Sequence, residues 1–213
     1  ANAPLPLPVA RRVLHDRFFK QAKNEGYLAR SAYKLIEIDD RKRLIRKGDR
    51  VLDLGCAPGS WMQVASQRVG PEGVVIGIDL QPVEHPMPEN VRCAVMDVFN
   101  APAETLTAEA GGMFDVVLSD MAPNTTGAGD HFRSYHLCRH VVDVLPGLLR
   151  PGGHLAIKVF EGEKYPELLR HIAHRFREAK GFKPKACRDI SREIYIVAHG
   201  YKGEPTENGQ SPA

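Results

Sequence analysis

Short apolar runs recur along the chain, and most of them end on an acidic residue. Arg50–Leu54 leads into a glycine-rich turn, Val74–Ile78 stops at Asp79, Val91–Met96 at Asp97 and Phe114–Ser119 at Asp120. His154–Phe160 follows a Pro151-Gly152-Gly153 turn. The runs are β-branched and lack strict polar alternation, and helix-compatible segments separate most of them. Strands buried on both faces read this way, so the pattern predicts a largely parallel sheet between two helical layers. The last two runs, Phe182–Arg188 and Glu193–His199, are separated only by Asp189-Ile190-Ser191-Arg192. Parallel neighbours need a long crossover, so this pair is predicted to be an antiparallel hairpin. The expected fold is α/β: a mostly parallel seven-stranded sheet ending in an antiparallel hairpin, with helices on both faces.

Upstream of the sheet the spacing becomes helical. One helix is predicted over 9–24 and broken by Gly26. A second is predicted to start with Ser31 as N-cap and run through Ile45, with Leu35, Ile38 and Leu44 as its buried stripe. The proline-rich residues 1–8 and the polar residues 203–213 read as tails. Residues 9–202 form one domain in this reading, with 9–48 as a basic helical extension.

Composition narrows the class. The chain has 213 residues, of which 43% are hydrophobic and 26% charged, enough for one α/β domain with a sizeable core. No uncharged apolar run reaches membrane-spanning length. The basic residues Arg11 and Arg12 follow the proline-rich stretch, the reverse of a secretory signal. The four cysteines are scattered, as in a reduced cytoplasmic protein. The net charge of +3 is unevenly spread, because residues 1–50 hold 13 Lys+Arg against 6 Asp+Glu and the remainder 16 against 20. A basic first quarter fits a surface for a polyanion, and equally a solvated charged face.

The turn Gly55-Cys56-Ala57-Pro58-Gly59 sits at the carboxyl end of the first predicted strand, where doubly wound folds bind ligands. Ala57 occupies the position at which a dinucleotide fingerprint needs its second glycine, and there is no P-loop, which argues against a nucleotide-dependent dehydrogenase. Asp79 is placed to accept ribose hydroxyls, and Asp97 to accept from an adenine amino group. One aspartate at a strand end is as readily a turn cap. Asp53, Asp79, Asp97 and Asp120 at four strand ends, beside a glycine turn, point to a nucleoside crevice whose acidic rim suits a cationic sulfonium cofactor. His136 and His140, and His171 and His174, lack a convergent third ligand, so no metal is expected.

Five ordered segments carry a resemblance. They are Arg30-Ser31-Ala32-Tyr33-Lys34-Leu35, the turn from Asp53 to Trp61, Ser119-Asp120-Met121-Ala122-Pro123-Asn124, Ile157-Lys158-Val159-Phe160 and Ser191-Arg192-Glu193-Ile194-Tyr195. Together, over about residues 15–202, they resemble the FtsJ/RrmJ family of RNA ribose 2′-O-methyltransferases. The resemblance implies a Rossmann-like class I methyltransferase fold. It also implies a catalytic tetrad of Lys34, Asp120, Lys158 and Glu193, and S-adenosyl-L-methionine held by Gly59, Trp61, Asp79, Asp97 and Asp120. Cys56 and Ser60 stand where some members carry Ala and Gly, outside the tetrad.

The implied substrate is a ribose, a uridine's, in large-subunit ribosomal RNA or the assembled subunit, as in the bacterial members the chain most resembles. A transfer-RNA branch shares every motif and is the alternative. Arg11, Arg12, Arg17, Lys20, Lys23 and Arg30 would hold phosphates, and the protein would act as a cytoplasmic monomer. A ribose hydroxyl is a poor nucleophile, so the chemistry needs a base or a group that aims its lone pair at the methyl donor. Taken singly, Lys158 reads as a snorkelling strand-end lysine and Lys34 with Glu193 as a structural ion pair. Within the motif set the four read as a site.

Overall fold

Seven strands form one sheet in the order β3-β2-β1-β4-β5-β7-β6. The computed structural model describes residues 9–123, 129–187 and 191–203, with side chains from residue 17 onward. The strands are β1 (Arg50–Leu54), β2 (Val74–Asp79), β3 (Val91–Val95), β4 (Phe114–Ser119), β5 (Leu149–Phe160), β6 (Phe176–Phe182) and β7 (Glu193–Tyr201). The first five run parallel, and β7 enters antiparallel between β5 and β6. The helices are α1 (Val9–Glu25), α2 (Ala32–Lys42), α3 (Ser60–Val69), α4 (Ala103–Ala110), α5 (Asp130–Leu148) and α6 (Tyr165–Arg175).

The pleat sorts the apolar residues into two cores. Val51, Val75, Val116, Leu118, Ala156, Tyr195 and Val197 face α2 and α3, where Leu35, Ile38, Met62 and Ala65 are buried. Their neighbours Leu52, Ile76, Ile78, Val117, Leu155, Ile157 and Ile196 face the other way, onto Leu106 of α4, Val141, Val142 and Leu145 of α5, and Leu168 and Ile172 of α6. Each fully buried Leu, Ile or Val side chain stabilises the fold by about 1.5–3 kcal/mol relative to exposure. Two covered faces account for the unbroken apolar runs in the sequence.

Several boundaries differ from the sequence reading. The second helix ends at Lys42 rather than Ile45, and Ser31 makes no capping bond. Arg43 turns left-handed, and Oδ1 of Asp39 accepts the backbone N–H groups of Leu44 and Ile45, which stops the helix. The third strand ends at Val95. The fifth begins earlier than His154, because Leu149 pairs with Phe114 while His154 pairs with Val116, leaving the Pro151-Gly152-Gly153 turn as a bulge inside it.

The largest shift concerns the predicted strand Phe182–Arg188. The strand there is β6, Phe176–Phe182, with Phe176 opposite Tyr201 and Phe182 opposite Tyr195. Phe176 is buried and packs its ring on Tyr201, and this anchor sets the register. The connection to β7 therefore runs from Lys183 to Arg192, and its residues 188–190 lie outside the described residues. The predicted tails also lie outside them, apart from Gly203.

Candidate active site

Strand register assembles the site. Ser119 at the end of β4 pairs with Ile157 of β5, so Asp120, the next residue, emerges beside Lys158. Across the other edge of β5, Lys158 pairs with Tyr195 and Phe160 with Glu193. Glu193 and Tyr195 lie two apart on β7 and share a face. Helix α2 lies on that face and brings Lys34 from its first turn. The four residues implied by the resemblance, far apart in sequence, are thus brought together.

Their contacts are specific. The Lys158 ammonium donates to the backbone carbonyl of Asp120 at 2.6 Å and lies 3.1 Å from its Oδ1. It is 3.9 Å from Oε1 of Glu193. Lys34 donates to Oε2 of Glu193 at 3.0 Å. Both lysines are nearly buried, at 6% and 7% exposure, so their charges rely on these partners. Burial alone would lower the pKa of Lys34, but the carboxylates of Asp120 and Glu193 outweigh it and raise the value. Burial likewise opposes ionisation of Glu193, and Lys34 and Lys158 outweigh it, holding the carboxyl below its usual range.

Tyr195 belongs to the same network, a role the sequence reading did not assign. Its hydroxyl donates to Oδ1 of Asp120 at 2.6 Å. Burial, then Asp120, hold its proton well above the usual range. The available signal was its spacing of two from Glu193 in a strand. Behind β5, Ser134 Oγ accepts the N–H of Phe160 at 3.0 Å, and the Cys138 thiol donates to the carbonyl of Lys158 at 3.1 Å. No sequence signal marked these two α5 residues.

The glycine turn lies beside this network. Gly55 and Gly59 both have positive φ, 79° and 115°. The φ of Gly59 is one that side-chain-bearing residues rarely adopt, and a Cβ there would also displace the Met87 methyl, so the turn favours glycine at this position. Asp79 Oδ2 accepts from the N–H of Ala57 and Oδ1 from that of Gln81, which ties the end of β2 to the turn. Asp97 accepts from the N–H of Phe99. Leu80 and Phe99, which adjoin these aspartates, are exposed large apolar residues, at 71% and 54%. Trp61 is buried: its ring stacks on Tyr195 with centroids 5.7 Å apart, and its indole N–H donates to the carbonyl of Ser31 at 2.9 Å. Trp61 thus braces the start of α2 against the face that carries Glu193 and Tyr195.

Asp53 lies fully buried under the turn, and neither carboxylate oxygen has a partner among the described residues. Burial, reinforced by the charges of Asp120 and Asp79, raises its pKa well above the usual range. Among the described residues no three His, Cys, Asp or Glu side chains converge as metal ligands. His140 lies on the Phe99 ring, and His171 lies 3.6 Å from Asp143.

The basic N-terminal candidates fall around α1. Arg17, Lys20 and Lys23 are exposed, and Arg30 is half-buried one residue before Ser31. The side chains of Arg11 and Arg12 lie outside the described residues. Helix α1 rests on the body through buried Ala22 and through Phe18, whose ring packs on Tyr33 at 5.5 Å.

The model of the FtsJ-like methyltransferases matches residues 27–201, which include all five motifs and the whole sheet. The chain belongs to this family. It is 46% identical over 186 residues to the ribosomal RNA large subunit methyltransferase E of Syntrophobacter fumaroxidans, covering 86% of this chain and 94% of that one. It is 45% identical over 196 residues to the protein of the same name from Nitratidesulfovibrio vulgaris, strain Miyazaki F, covering 91% and 98%. The crystal structure of a ribosomal RNA methyltransferase from Plasmodium falciparum superposes with a TM-score of 0.73 at 29% identity, covering 84% of this chain and all of that one. The family match and the sheet order agree with the fold expected from the sequence. The methyltransferase therefore works with a methyl donor, and Lys34, Asp120, Lys158 and Glu193 lie where β4, β5 and β7 meet α2.

Proposed function

We propose that this FtsJ-like methyltransferase moves the methyl group of S-adenosyl-L-methionine to a ribose 2′-hydroxyl, a uridine's, in large-subunit ribosomal RNA. Convergence of Lys34, Asp120, Lys158 and Glu193 on one buried face carries the reading. Relatives named as large-subunit ribosomal RNA methyltransferases at 45–46% identity favour that target over transfer RNA.

The cofactor fits the crevice on three counts. Asp79 and Asp97 stand at successive strand ends to accept ribose hydroxyls and an adenine amino group. Exposed Leu80 and Phe99 beside them offer apolar surface to the base. Asp79, Asp97 and Asp120 ring the crevice with carboxylates, which favours a cation over an anionic dinucleotide. Gly59 lets the backbone approach the ligand, and Trp61, stacked on Tyr195 and bonded to the Ser31 carbonyl, holds α2 in place beside the tetrad. The donor, when bound, supplies an electrophilic methyl group with a neutral thioether as leaving group.

The chain's own residues prepare the nucleophile. An ammonium has three N–H donors. Those of Lys158 serve the Asp120 carbonyl and carboxylate, and one remains to hold the substrate oxygen. That bond aims a lone pair along the attack line. The hydroxyl proton passes to Asp120, the nearer of the two carboxylates to Lys158. Lys34, held as an ammonium by Glu193, balances the charge and orients the nucleotide. The basic residues of 9–30 grip phosphates, and a structured target must be opened to present its ribose. The protein acts in the cytoplasm as a monomer; among the described residues no helix is long and apolar enough to cross a membrane.

The test is transfer of a tritiated methyl group from S-adenosylmethionine to large-subunit and transfer RNA, followed by mapping of sites that resist alkaline cleavage. Label at a ribose of the large-subunit RNA is expected. Label only on a base, or only on transfer RNA, overturns the reading.

A further inference from the structure

Five cations, Arg41, Lys42, Arg43, Arg46 and Lys47, crowd the end of α2 and the loop after it. Arg41, Arg43, Arg46 and Lys47 are exposed, and none forms an ion pair with another described residue. A helix C-terminus favours cations in its last turn, which accounts for Arg41 and Lys42. It does not account for Arg43, Arg46 and Lys47 beyond the helix.

Geometry ties this cluster to the active site. Lys34 sits over the ring of Tyr195 at 5.8 Å, and Lys42, two turns further along α2, sits over the ring of Phe182 at 5.2 Å. Tyr195 and Phe182 are paired neighbours on β7 and β6, and Lys158 is paired with Tyr195 on the other side. One row across the sheet, Lys158–Tyr195–Phe182, therefore leads from the tetrad to Lys42. From there the cations continue to Arg46; burial lowers the pKa of His154 and His199, a cross-strand pair of β5 and β7, and Arg46 is among the smaller contributions in the same direction for both. Asp49 accepts the backbone N–H of Arg46, and Asp40, which directly precedes Arg41, pairs with Arg68 instead. Eight residues of helix span about 12 Å, which places the cluster within a few nucleotides of a ribose bound at Lys34.

We propose that residues 41–47 are a second RNA-backbone surface, continuous with the active site through Lys42 and Phe182 and separate from the basic residues of α1. The inference rests on reading the protein as an RNA ribose methyltransferase. Its ligand is the phosphate backbone of structured RNA.

The test compares the wild type with Arg43→Gln/Arg46→Gln/Lys47→Gln. It also uses Arg46→Gln/Lys47→Gln, which keeps the left-handed Arg43 and guards against misfolding at that position. Binding of a large-subunit RNA hairpin transcript is titrated at several salt concentrations, alongside donor affinity and KM for RNA. Each phosphate that is no longer neutralised flattens the log–log salt slope by about 0.7–0.9. The double variant is expected to flatten it by roughly twice that and to raise KM several-fold, with donor affinity intact. An unchanged slope in the folded double variant overturns the surface whatever RNA the enzyme modifies. Absent methyl transfer by the wild type instead overturns the functional reading. Weakened binding to anionic phospholipid vesicles with unchanged RNA binding would assign the cations to another polyanion and also overturn the proposal.

Discussion

Oδ1 of Asp120 receives the hydroxyl of Tyr195 at 2.6 Å and lies 3.1 Å from the ammonium of Lys158. The tyrosine therefore fixes the carboxylate that fixes the lysine. Tyr195→Phe keeps the ring and its stacking on Trp61 but removes this donor. Leaving a buried polar group without its hydrogen bond costs about 1–3 kcal/mol of stability. A small displacement of a reacting group can cost on the order of 100-fold in rate. The variant is expected to unfold at lower temperature and to lose kcat while keeping its donor affinity; calorimetric binding and single-turnover rates check this.

Lys158→Ala separates binding from chemistry. The lysine acts on the substrate hydroxyl in the transition state, so methyl transfer should vanish while S-adenosylmethionine binds with near wild-type affinity. Turnover close to wild type would remove Lys158 from the reaction.

Asp79→Ala should act in the opposite sense. It strands the cofactor's ribose hydroxyls and frees the Ala57 N–H that Oδ2 accepts. Donor affinity is expected to fall by about 1–3 kcal/mol, read by calorimetry, with no gain of NAD binding.

The Lys34–Glu193 pair predicts a pH dependence of stability. Against the opposing effect of burial, the carboxylates of Asp120 and Glu193 raise the pKa of Lys34 above 10.5, so its contribution is complete below that value and is lost as the pH rises through the folded pKa. Glu193 is lowered below 4.5, so its contribution is complete above that value and is lost as the pH falls through the folded pKa. Lys34→Met should lower Tm across the plateau between these limits. The gap from wild type should close in strong acid and strong alkali. A gap independent of pH would show that the variant suffers from altered packing and not from the missing charge.

The basic segment of α1 predicts a salt effect of its own. Replacing Arg11, Arg12 and Arg17 with Gln should weaken RNA binding and flatten its salt dependence, by about 0.7–0.9 in slope for each phosphate these side chains neutralise. Donor binding should not change, because the crevice is built from strand ends further along the chain. Titrations at three salt concentrations decide between a phosphate-binding segment and a solvated face.

Local pattern carried most of the architecture, because strands covered on both faces have few polar positions, Asp53 of β1 being one, to interrupt the apolar run. The runs at Val51, Val75 and Val116 marked β1, β2 and β4, and the Gly55–Gly59 spacing marked the turn. Motif order pointed to the four tetrad residues as a set. Where one side of an element meets water, the sequence was ambiguous: β6, Phe-Arg-Glu-Ala-Lys-Gly-Phe, has no apolar run to mark it, and only its ladder to β7 makes it a strand. The end of α2 depended on Asp39 reaching forward to two backbone N–H groups, a choice between competing local bonds that periodicity does not record. Tyr195 joined the site, and Trp61 became a brace beneath it, because antiparallel register placed β7 beside Lys158. Pairing between residues distant in the chain is a property of the assembled sheet, and tertiary structure alone decides it.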